Sequence, residues 1–205
     1  MEEKRLLDCA DGLTRRGFKV LMLPTLSEAN RSLTARIGRN KNVYYSGTTL
    51  EQLGILETLK ALGNLVKNSS TLTGSWGVKV RRPRKLAAGD IFLSCASAIT
   101  LDGIIIDPAC DGVPLFSNGH IPGEIIIVSG YNNIVDDLDE GLRRARNVSF
   151  PVTAKNLGLD IPCVKKGRCV ECDNPHPICA VNTVITRKPH RPDILVALIA
   201  EKLGH

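Results

Sequence analysis

Aromatic side chains are scarce in this 205-residue sequence, which has one tryptophan, three tyrosines and four phenylalanines. Proteins that bind single-stranded nucleic acid stack its bases on aromatic side chains set among basic ones, so this scarcity argues against nucleic acid as a partner. Aliphatic side chains must therefore supply the core. Because chains divide into domains only beyond roughly 250 residues, we expect a single domain over residues 1–205.

Long apolar runs are also missing. The run at residues 194–200 is far shorter than the roughly 20 residues of a helix that spans a bilayer, so we expect no membrane span. Residues 1–5 carry charges with no apolar segment behind them, which predicts no signal peptide and a cytoplasmic location. No G-x-G-x-x-G motif follows a strand-like run, so nothing in the sequence points to flavin or nicotinamide.

Positive charge, by contrast, is in excess. The formal net charge is +6 and the pI is near 9.0. The basic residues concentrate in three stretches, at residues 79–85, 165–168 and 187–191. Such a balance permits nucleic acid, anionic small molecules or an acidic protein partner, and the shortage of aromatic residues disfavours the first of these.

The N-terminal half alternates helical and strand patterns. Residues 1–42 form a helix–strand–helix part, in which a capping box at Thr25-x-x-Glu28 begins the second helix. A strand at 43–45 follows, and a second capping box, Thr48-x-x-Glu51, begins a helix that ends at Gly63. Its apolar stripe consists of Leu50, Leu53, Leu56, Leu59 and Leu62. This alternation predicts an α/β fold with a parallel or mixed sheet flanked by helices.

The middle of the chain is richer in strands. Uninterrupted apolar runs at 90–94, 103–106 and 124–128 predict strands buried on both faces. A helix is expected at 135–146, with carboxylates in its first turns and arginines in its last, a distribution that suits the helix dipole. Two further strands are expected, at 182–186 and from residue 194.

The turn between the strand at 43–45 and the next helix is a candidate anion site. Gly47 allows a sharp turn, and the hydroxyls of Ser46, Thr48 and Thr49 accompany free N–H groups at the helix start. A phosphate or carboxylate would fit such a cradle. A plain helix cap with no ligand fits the same residues, and the sequence leaves the two interpretations open.

Four cysteines lie within 17 residues in a proline- and glycine-rich loop at 162–180, with the spacing C-x5-C-x2-C-x6-C: Cys163, Cys169, Cys172 and Cys179. Cytoplasmic thiols stay reduced, which favours a metal over disulfides, and the basic residues at 165–168 favour thiolates. A tetrathiolate suits an iron–sulfur cluster, in the first place of the 4Fe–4S type, or zinc. A loop with no metal also remains open. His176 is a weaker candidate ligand, and Cys9, Cys95 and Cys110 are expected to be buried as small apolar residues.

Polar residues near the ends of the middle strands are further candidates. Asp102-Gly103 predicts a tight connection between two strands, and Ser97, Thr100 and Asp107 lie where open α/β sheets bind ligands. We place Thr100 and Asp102 with the anion cradle, and Asp102 and Asp107 are the weak candidates for a catalytic carboxylate. A turn with satisfied hydroxyls is the alternative. His120 has no evident partner.

Taken together, these segments resemble the LUD domain family of lactate-utilization proteins, formerly a domain of unknown function. The resemblance covers residues 43–204, and its most specific elements are Ala-Ile-Thr-Leu-Asp-Gly at 98–103 and the block at 162–179. Shorter matches lie at 46–54, 87–93, 126–130, 133–135, 154–158 and 201–204. The sequence departs from the family at Ser97, where the family usually has asparagine, and at Asn133, where it has lysine.

The resemblance implies the fold shared by ribose-5-phosphate isomerase, glucosamine-6-phosphate deaminase and coenzyme A transferases. It also implies a role in oxidising lactate to pyruvate alongside iron–sulfur redox partner proteins. Two alternatives remain: an isomerase or transferase acting on a sugar phosphate or acyl-CoA, and a non-catalytic assembly subunit with a structural zinc. Whether the chain is an enzyme and whether it forms a homo-oligomer are left open.

Overall fold

The computed structural model describes residues 2–47, 49–68, 90–108, 123–174 and 177–205. Several predictions fall on the remaining residues and so lie outside the described part: Thr48, Cys110, His120, His176 and the basic stretch at 79–85. Within the described ranges, no helix is both long enough and apolar enough to cross a membrane.

The described strands form two sheets. In chain order they are β1 (Lys19–Leu23), β2 (Asn42–Tyr45), β3 (Leu65–Asn68), β4 (Ile91–Cys95), β5 (Ala98–Thr100), β6 (Ile105–Pro108), β7 (Glu124–Gly130), β8 (Ile134–Val135), β9 (Asn182–Ile185) and β10 (Asp193–Ile199). The larger sheet has six parallel strands in the order β1-β10-β7-β4-β2-β3. The smaller has the order β8-β5-β6-β9, with β6 antiparallel to both of its neighbours.

Helices pack on both sheets. They are α1 (Glu2–Arg15), α2 (Leu26–Ile37), α3 (Thr49–Gln52), α4 (Ile55–Ala61), α5 (Leu138–Arg144), α6 (Phe150–Asn156) and α7 (Pro162–Lys166). A 3-10 turn at Tyr131–Asn133 precedes β8, and a π-helical turn at Ala145–Ser149 joins α5 to α6. The predicted α/β class, with a parallel sheet flanked by helices, is confirmed.

The position of β7 in the sheet explains why its apolar run is uninterrupted. Ile126 and Val128 pack on one face of the sheet, in a core with residues of α2, α3 and α4. Ile125 and Ile127 pack on the other face, with residues of α1 and the smaller sheet. Successive side chains of a strand point to opposite faces, so a strand covered on both sides needs an apolar residue at every position.

The helix predicted to begin at the second capping box is broken into α3 and α4. Gly54, between them, has the left-handed φ of +65°, which an α-helix cannot continue through. The Leu53 carbonyl accepts a hydrogen bond of 2.9 Å from the Asn30 side chain. Leu50, Leu53, Leu56 and Leu59 still lie in the core, whereas Leu62 is only partly buried and the break leaves α3 four residues long.

The helix predicted at 135–146 begins later and extends further. Asp137 is its N-cap and accepts a hydrogen bond of 2.8 Å from the Glu140 amide. Beyond Arg144 the chain continues through the π turn into α6, where Pro151 lies in the first turn. Proline has no N–H to donate to the preceding turn, which accounts for the irregular winding directly before it.

Candidate functional site

Strands β2 and β4 are neighbours, but the chain leaves them in opposite directions. From β2 it proceeds outward to the edge strand β3, whereas from β4 it proceeds to β7 on the other side. Open parallel sheets bind ligands at the carboxyl ends of such diverging strands. Here the Ser46 amide, just after β2, donates a hydrogen bond of 3.0 Å to Leu93 in β4, so the two ends are held together.

A small cleft of about 60 Å³ lies at this point. Its walls come from the residues after β2 and β4, from the α5–α6 segment and from the end of the chain: Gly47, Thr49, Cys95, Ala96, Ser97, Asn133, Arg144, Ser149, Thr153, Gly204 and His205. The strand order therefore converts distant stretches of sequence into one polar recess, which we call the switch-point cleft.

Arg144 supplies the positive charge of this cleft. Its Nη1 donates to the main-chain oxygen of Ser97 at 2.6 Å and to Ser149 Oγ at 3.4 Å. Its Nη2 donates to Asn133 Oδ1 at 2.7 Å and to the main-chain oxygen of His205. Burial lowers the pKa of the guanidinium, but arginine remains charged. None of these four acceptors is an aspartate or glutamate side chain, although the charge of the nearby Glu140 acts on Arg144 and opposes the effect of burial on its pKa.

Ser97 is buried in the wall of the cleft with 5% of its surface exposed. Within the described part of the chain its Oγ has no hydrogen-bond partner. A buried hydroxyl left unpaired costs roughly 1–3 kcal/mol, so such a group calls for an explanation.

The remaining walls are uncharged. Gly47 adopts a φ of +99°, which favours glycine at this turn. Burial and the nearby Asp107 carboxylate raise the pKa of the Cys95 thiol well above its usual range. Cys95 is thus a protonated thiol at neutral pH and forms a wall of the cleft rather than a nucleophile.

The last residues of the described chain cover one side of the cleft. The Asn132 side chain accepts from the Leu203 amide at 2.9 Å and donates to the main-chain oxygen of His205 at 3.3 Å. Gly204 donates to Gln52 Oε1 at 3.0 Å, and a Cβ on Gly204 would lie only 3.0 Å from Thr49. Burial, with the charge of Arg144, lowers the pKa of His205.

The structure separates the predicted anion-site residues. Gly47 and Thr49 line the cleft and Ser46 lies beside it, whereas Thr100 and Asp102 do not line it. They form the tip of the β5–β6 hairpin, where the Asp102 carboxylate accepts from Thr100 Oγ1 and pairs with Arg16. These contacts, led by the Thr100 hydrogen bond, lower the pKa of Asp102 and make it a poorer proton acceptor.

Asp107 lies in β6, behind Cys95. It is 8% exposed, and Ser94 Oγ donates to its carboxylate at 3.5 Å. Directly opposite in β9 is Thr183, whose buried Oγ1 has no partner among the described residues. Asp107 is not among the residues that line the cleft, and its charge helps to raise the pKa of the Cys95 thiol.

The four clustered cysteines line a second cavity, of about 360 Å³. Cys163 comes from α7, Cys169 and Cys172 from the following loop, and Cys179 from the segment before β9. All four are free thiols, and Cys172 and Cys179 are exposed. No group of three or more His, Cys, Asp or Glu residues in the described ranges is arranged as a metal site. The sulfurs thus surround a common space without being drawn onto one point. We call this space the cysteine cavity.

Charge couples the groups around the cysteine cavity. Burial, then Cys172 and Cys179, raises the pKa of Cys163; burial, then Cys169, raises that of Cys179. Arg146 also lines the cavity and pairs with Glu171 at 3.2 Å. A hydrogen bond to Cys169 is the main reason for the raised pKa of Arg146.

Sequence reasoning missed both Arg144 and Arg146 as site residues. The arginines at the end of this helix were explained by their favourable interaction with the helix dipole. That explanation fits all three of them equally well and singles out none. The signal that could have found them is Pro151 shortly afterwards, since it predicts irregular winding just where these arginines lie.

Comparisons with known proteins agree with this architecture. The LUD domain family profile matches residues 8–200. A crystal structure of a DUF162 family protein from Deinococcus radiodurans superposes with a TM-score of 0.56 at 14% identity, covering 97% of this chain and 98% of that one. DUF162 is the former name of the LUD domain. No curated protein matches the chain. The profile match over most of the chain shows that it belongs to the LUD domain family.

Proposed function

We propose that this protein acts in the cytoplasm in the oxidation of a 2-hydroxy acid, together with iron–sulfur redox partners. It would bind an anionic metabolite in the switch-point cleft and hold a metal centre at the four clustered cysteines. Membership of the LUD domain family supports a role related to lactate utilization in general.

The observation that carries the anion-binding part is the environment of Arg144. Its guanidinium is fixed by four acceptors, none of them an aspartate or glutamate side chain, in the wall of a small recess. Beside it, the Ser97 hydroxyl is buried and unpaired within the described residues. A carboxylate in the recess would be attracted by the charge of the guanidinium, whose Nε–H is the donor that the four contacts leave, and a turn of the Ser97 side chain would bring its hydroxyl to the anion. A recess of about 60 Å³ suits a small acid better than an acyl-CoA.

The chemistry of the cysteine cavity fits a metal centre. Four cysteines border one space, and burial, followed by the charge that neighbouring cysteines would carry as thiolates, raises the pKa of Cys163 and Cys179. A cation removes that repulsion, and four thiolates suit zinc or an iron–sulfur cluster. Cys163, Cys169, Cys172 and Cys179 would hold it. When bound, a cluster supplies one-electron transfer, whereas zinc supplies only a brace for the loop.

The chain's own residues then have distinct tasks. Arg144 holds the carboxylate, and Ser97 donates to one of its oxygens. The protonated Cys95 forms an uncharged wall that does not repel the anion. The main-chain amides of Leu203 and Gly204 donate to the side chains of Asn132 and Gln52, and these hydrogen bonds hold residues 203–204 beside the cleft.

Two measurements test the proposal. Protein purified without oxygen should contain iron and sulfide and show a broad visible absorbance that dithionite bleaches. Colourless protein with one zinc per chain would remove electron transfer and leave the assembly-subunit alternative. Calorimetric titration should show that lactate or pyruvate binds to wild-type protein and that Arg144→Gln loses this binding. Equal binding by both proteins would exclude the switch-point cleft as the site.

A further inference from the structure

One short helical segment forms a wall of both cavities. Arg144, Ser149 and Thr153 line the switch-point cleft. Arg146, Phe150 and Pro151 line the cysteine cavity. We call residues 144–153 the shared wall. Consecutive parts of one helix turn their side chains toward two different sites, so the position of one set constrains the other.

The shared wall is irregularly wound, and we expect its winding to change when a ligand binds at either site. Residues Ala145–Ser149 form a π-helical turn, between regular turns on each side. Single π-helical turns are rare in proteins, and those that occur are often at functional sites. A change in winding at this turn would rotate Arg144 relative to Arg146, because they lie at its start and within it.

Arg146 connects the shared wall to the cysteine loop. Its guanidinium pairs with Glu171 at 3.2 Å. The Glu171 amide in turn donates to Cys169 Sγ at 3.5 Å, and Glu171 has a left-handed φ of +50°. Residues 169–171 therefore form a compact turn whose shape sets where Arg146 is held.

We propose that Arg146 is a positioning residue that couples the two sites, so that an ion on the cysteines and an anion in the cleft strengthen each other's binding. This inference rests on the proposed function. An ion that gathers the sulfurs fixes the turn at 169–171, and Arg146 transmits this order to the shared wall. Arg144 is then held in the orientation that its acceptors define, and the cleft needs less ordering to receive an anion.

Electrostatic repulsion opposes this effect but is the weaker influence. When a divalent ion displaces the protons of the four thiols, the departing protons carry more positive charge than the ion brings. The site therefore becomes more negative. That charge is separated from the cleft by the shared wall, and salt screens exposed charges beyond roughly 8 Å at physiological ionic strength. The shared wall is packed main chain, but its link to the cysteine loop is the Arg146–Glu171 ion pair, whose side chains are 54% and 78% exposed, so salt weakens both influences. We expect net strengthening at physiological ionic strength.

The test uses the full chain with reduced thiols, with Co²⁺ as the ion and lactate and inorganic phosphate as the anions. Thiolate-to-cobalt absorption bands report ion affinity, and calorimetry reports anion affinity. In wild-type protein each ligand should tighten the other by the same factor, about fivefold or more, because coupling is reciprocal. Arg146→Gln should still bind both ligands but without coupling, and Arg146→Lys should restore part of it.

Arg143→Gln is the matched control, since Arg143 is an exposed arginine of the same helix that lines neither cavity. It should retain full coupling. Glu171→Gln breaks the same ion pair from the loop side and should also lose coupling, which keeps the test decisive if Arg146→Gln misfolds. Independent binding in wild-type protein, or undiminished coupling in both ion-pair variants, would overturn the inference. Failure of wild-type protein to bind the ion or the anions would instead remove the proposed function, and this inference with it.

Discussion

Arg144 donates a hydrogen bond of 2.6 Å to the main-chain oxygen of Ser97, and this contact joins the end of α5 to the residues that follow β4. It places a half-buried cation at the point where neighbouring strands diverge. The charge serves no ion pair with a side chain in the described part of the molecule. Its position is the basis of the proposed anion site.

Removing this charge should weaken anion binding. We expect Arg144→Gln to raise the dissociation constant of lactate or phosphate about tenfold or more, since hydrogen bonds to charged groups contribute roughly 1.5–3 kcal/mol. Isothermal titration calorimetry measures the effect, with Arg143→Gln as the control that should bind as wild type does. A loss of affinity in both variants would indicate general screening rather than a specific site.

The unpaired Ser97 hydroxyl should cost the free protein stability. Ser97→Ala is expected to raise the free energy of unfolding by about 1 kcal/mol, the lower end of the cost of an unsatisfied buried polar group. The same change should weaken anion binding. Ser149→Ala is the matched variant: its hydroxyl accepts from Arg144, so its loss should lower stability. Urea unfolding measures both, and a marked loss of stability in Ser97→Ala would mean that the hydroxyl has a partner.

Two helical glycines should respond differently to alanine. A Cβ on Gly12 would lie 2.5 Å from the Leu101 oxygen, a main-chain atom that cannot move aside. We expect Gly12→Ala to lose at least about 2 kcal/mol of stability, despite the roughly 1 kcal/mol that alanine gains in a helix. A Cβ on Gly141 meets the tip of Ile106 at 2.6 Å, which can rotate. Gly141→Ala should lose less in thermal and urea unfolding; the reverse order would contradict this account.

Asp102 should stabilise the hairpin tip in a pH-dependent way. Its pKa is lowered in the folded protein, first by Thr100 and then by Arg16. A carboxyl with a depressed folded pKa stabilises fully above its unfolded pKa, about 3.9, and loses that contribution as pH falls through the folded value. Asp102→Asn should thus be less stable than wild type at pH 7, and the difference should shrink as pH falls below the unfolded pKa and through the lower folded one. A pH-independent difference would remove ionisation as its cause.

The fold was predictable because its determinants are local. An uninterrupted apolar run such as that of β7 needs both faces covered, and Ile125 and Ile126 do pack on opposite faces. Strand–helix alternation then implies parallel strands. The break at Gly54 was not predicted, since a leucine stripe is equally regular in one helix or in two, and the positive φ at glycine is decided by packing against α2.

The candidate site was predictable only in part, because its contacts are long-range. The turn containing Gly47 and Thr49 was predicted from its residue types and lines the switch-point cleft, and the four cysteines predicted from their spacing line one cavity. Asp102 was placed with the anion cradle, yet its carboxylate is engaged by Arg16, 86 residues earlier in the chain. Nothing local to either residue indicates that pairing, and the same holds for Arg144 and Ser97.

The cysteine loop is anchored at both ends to a miniature apolar cluster formed by Phe150, Ala154, Ile161 and Ile178. Beyond it, β9 pairs with β6 at the rim of the smaller sheet and begins soon after Cys179. We therefore expect ordering of the cysteine loop to be linked to the pairing of β9 with β6. Protection of the β9 amides from hydrogen exchange should report whether the loop is ordered, without any spectroscopic or catalytic assay.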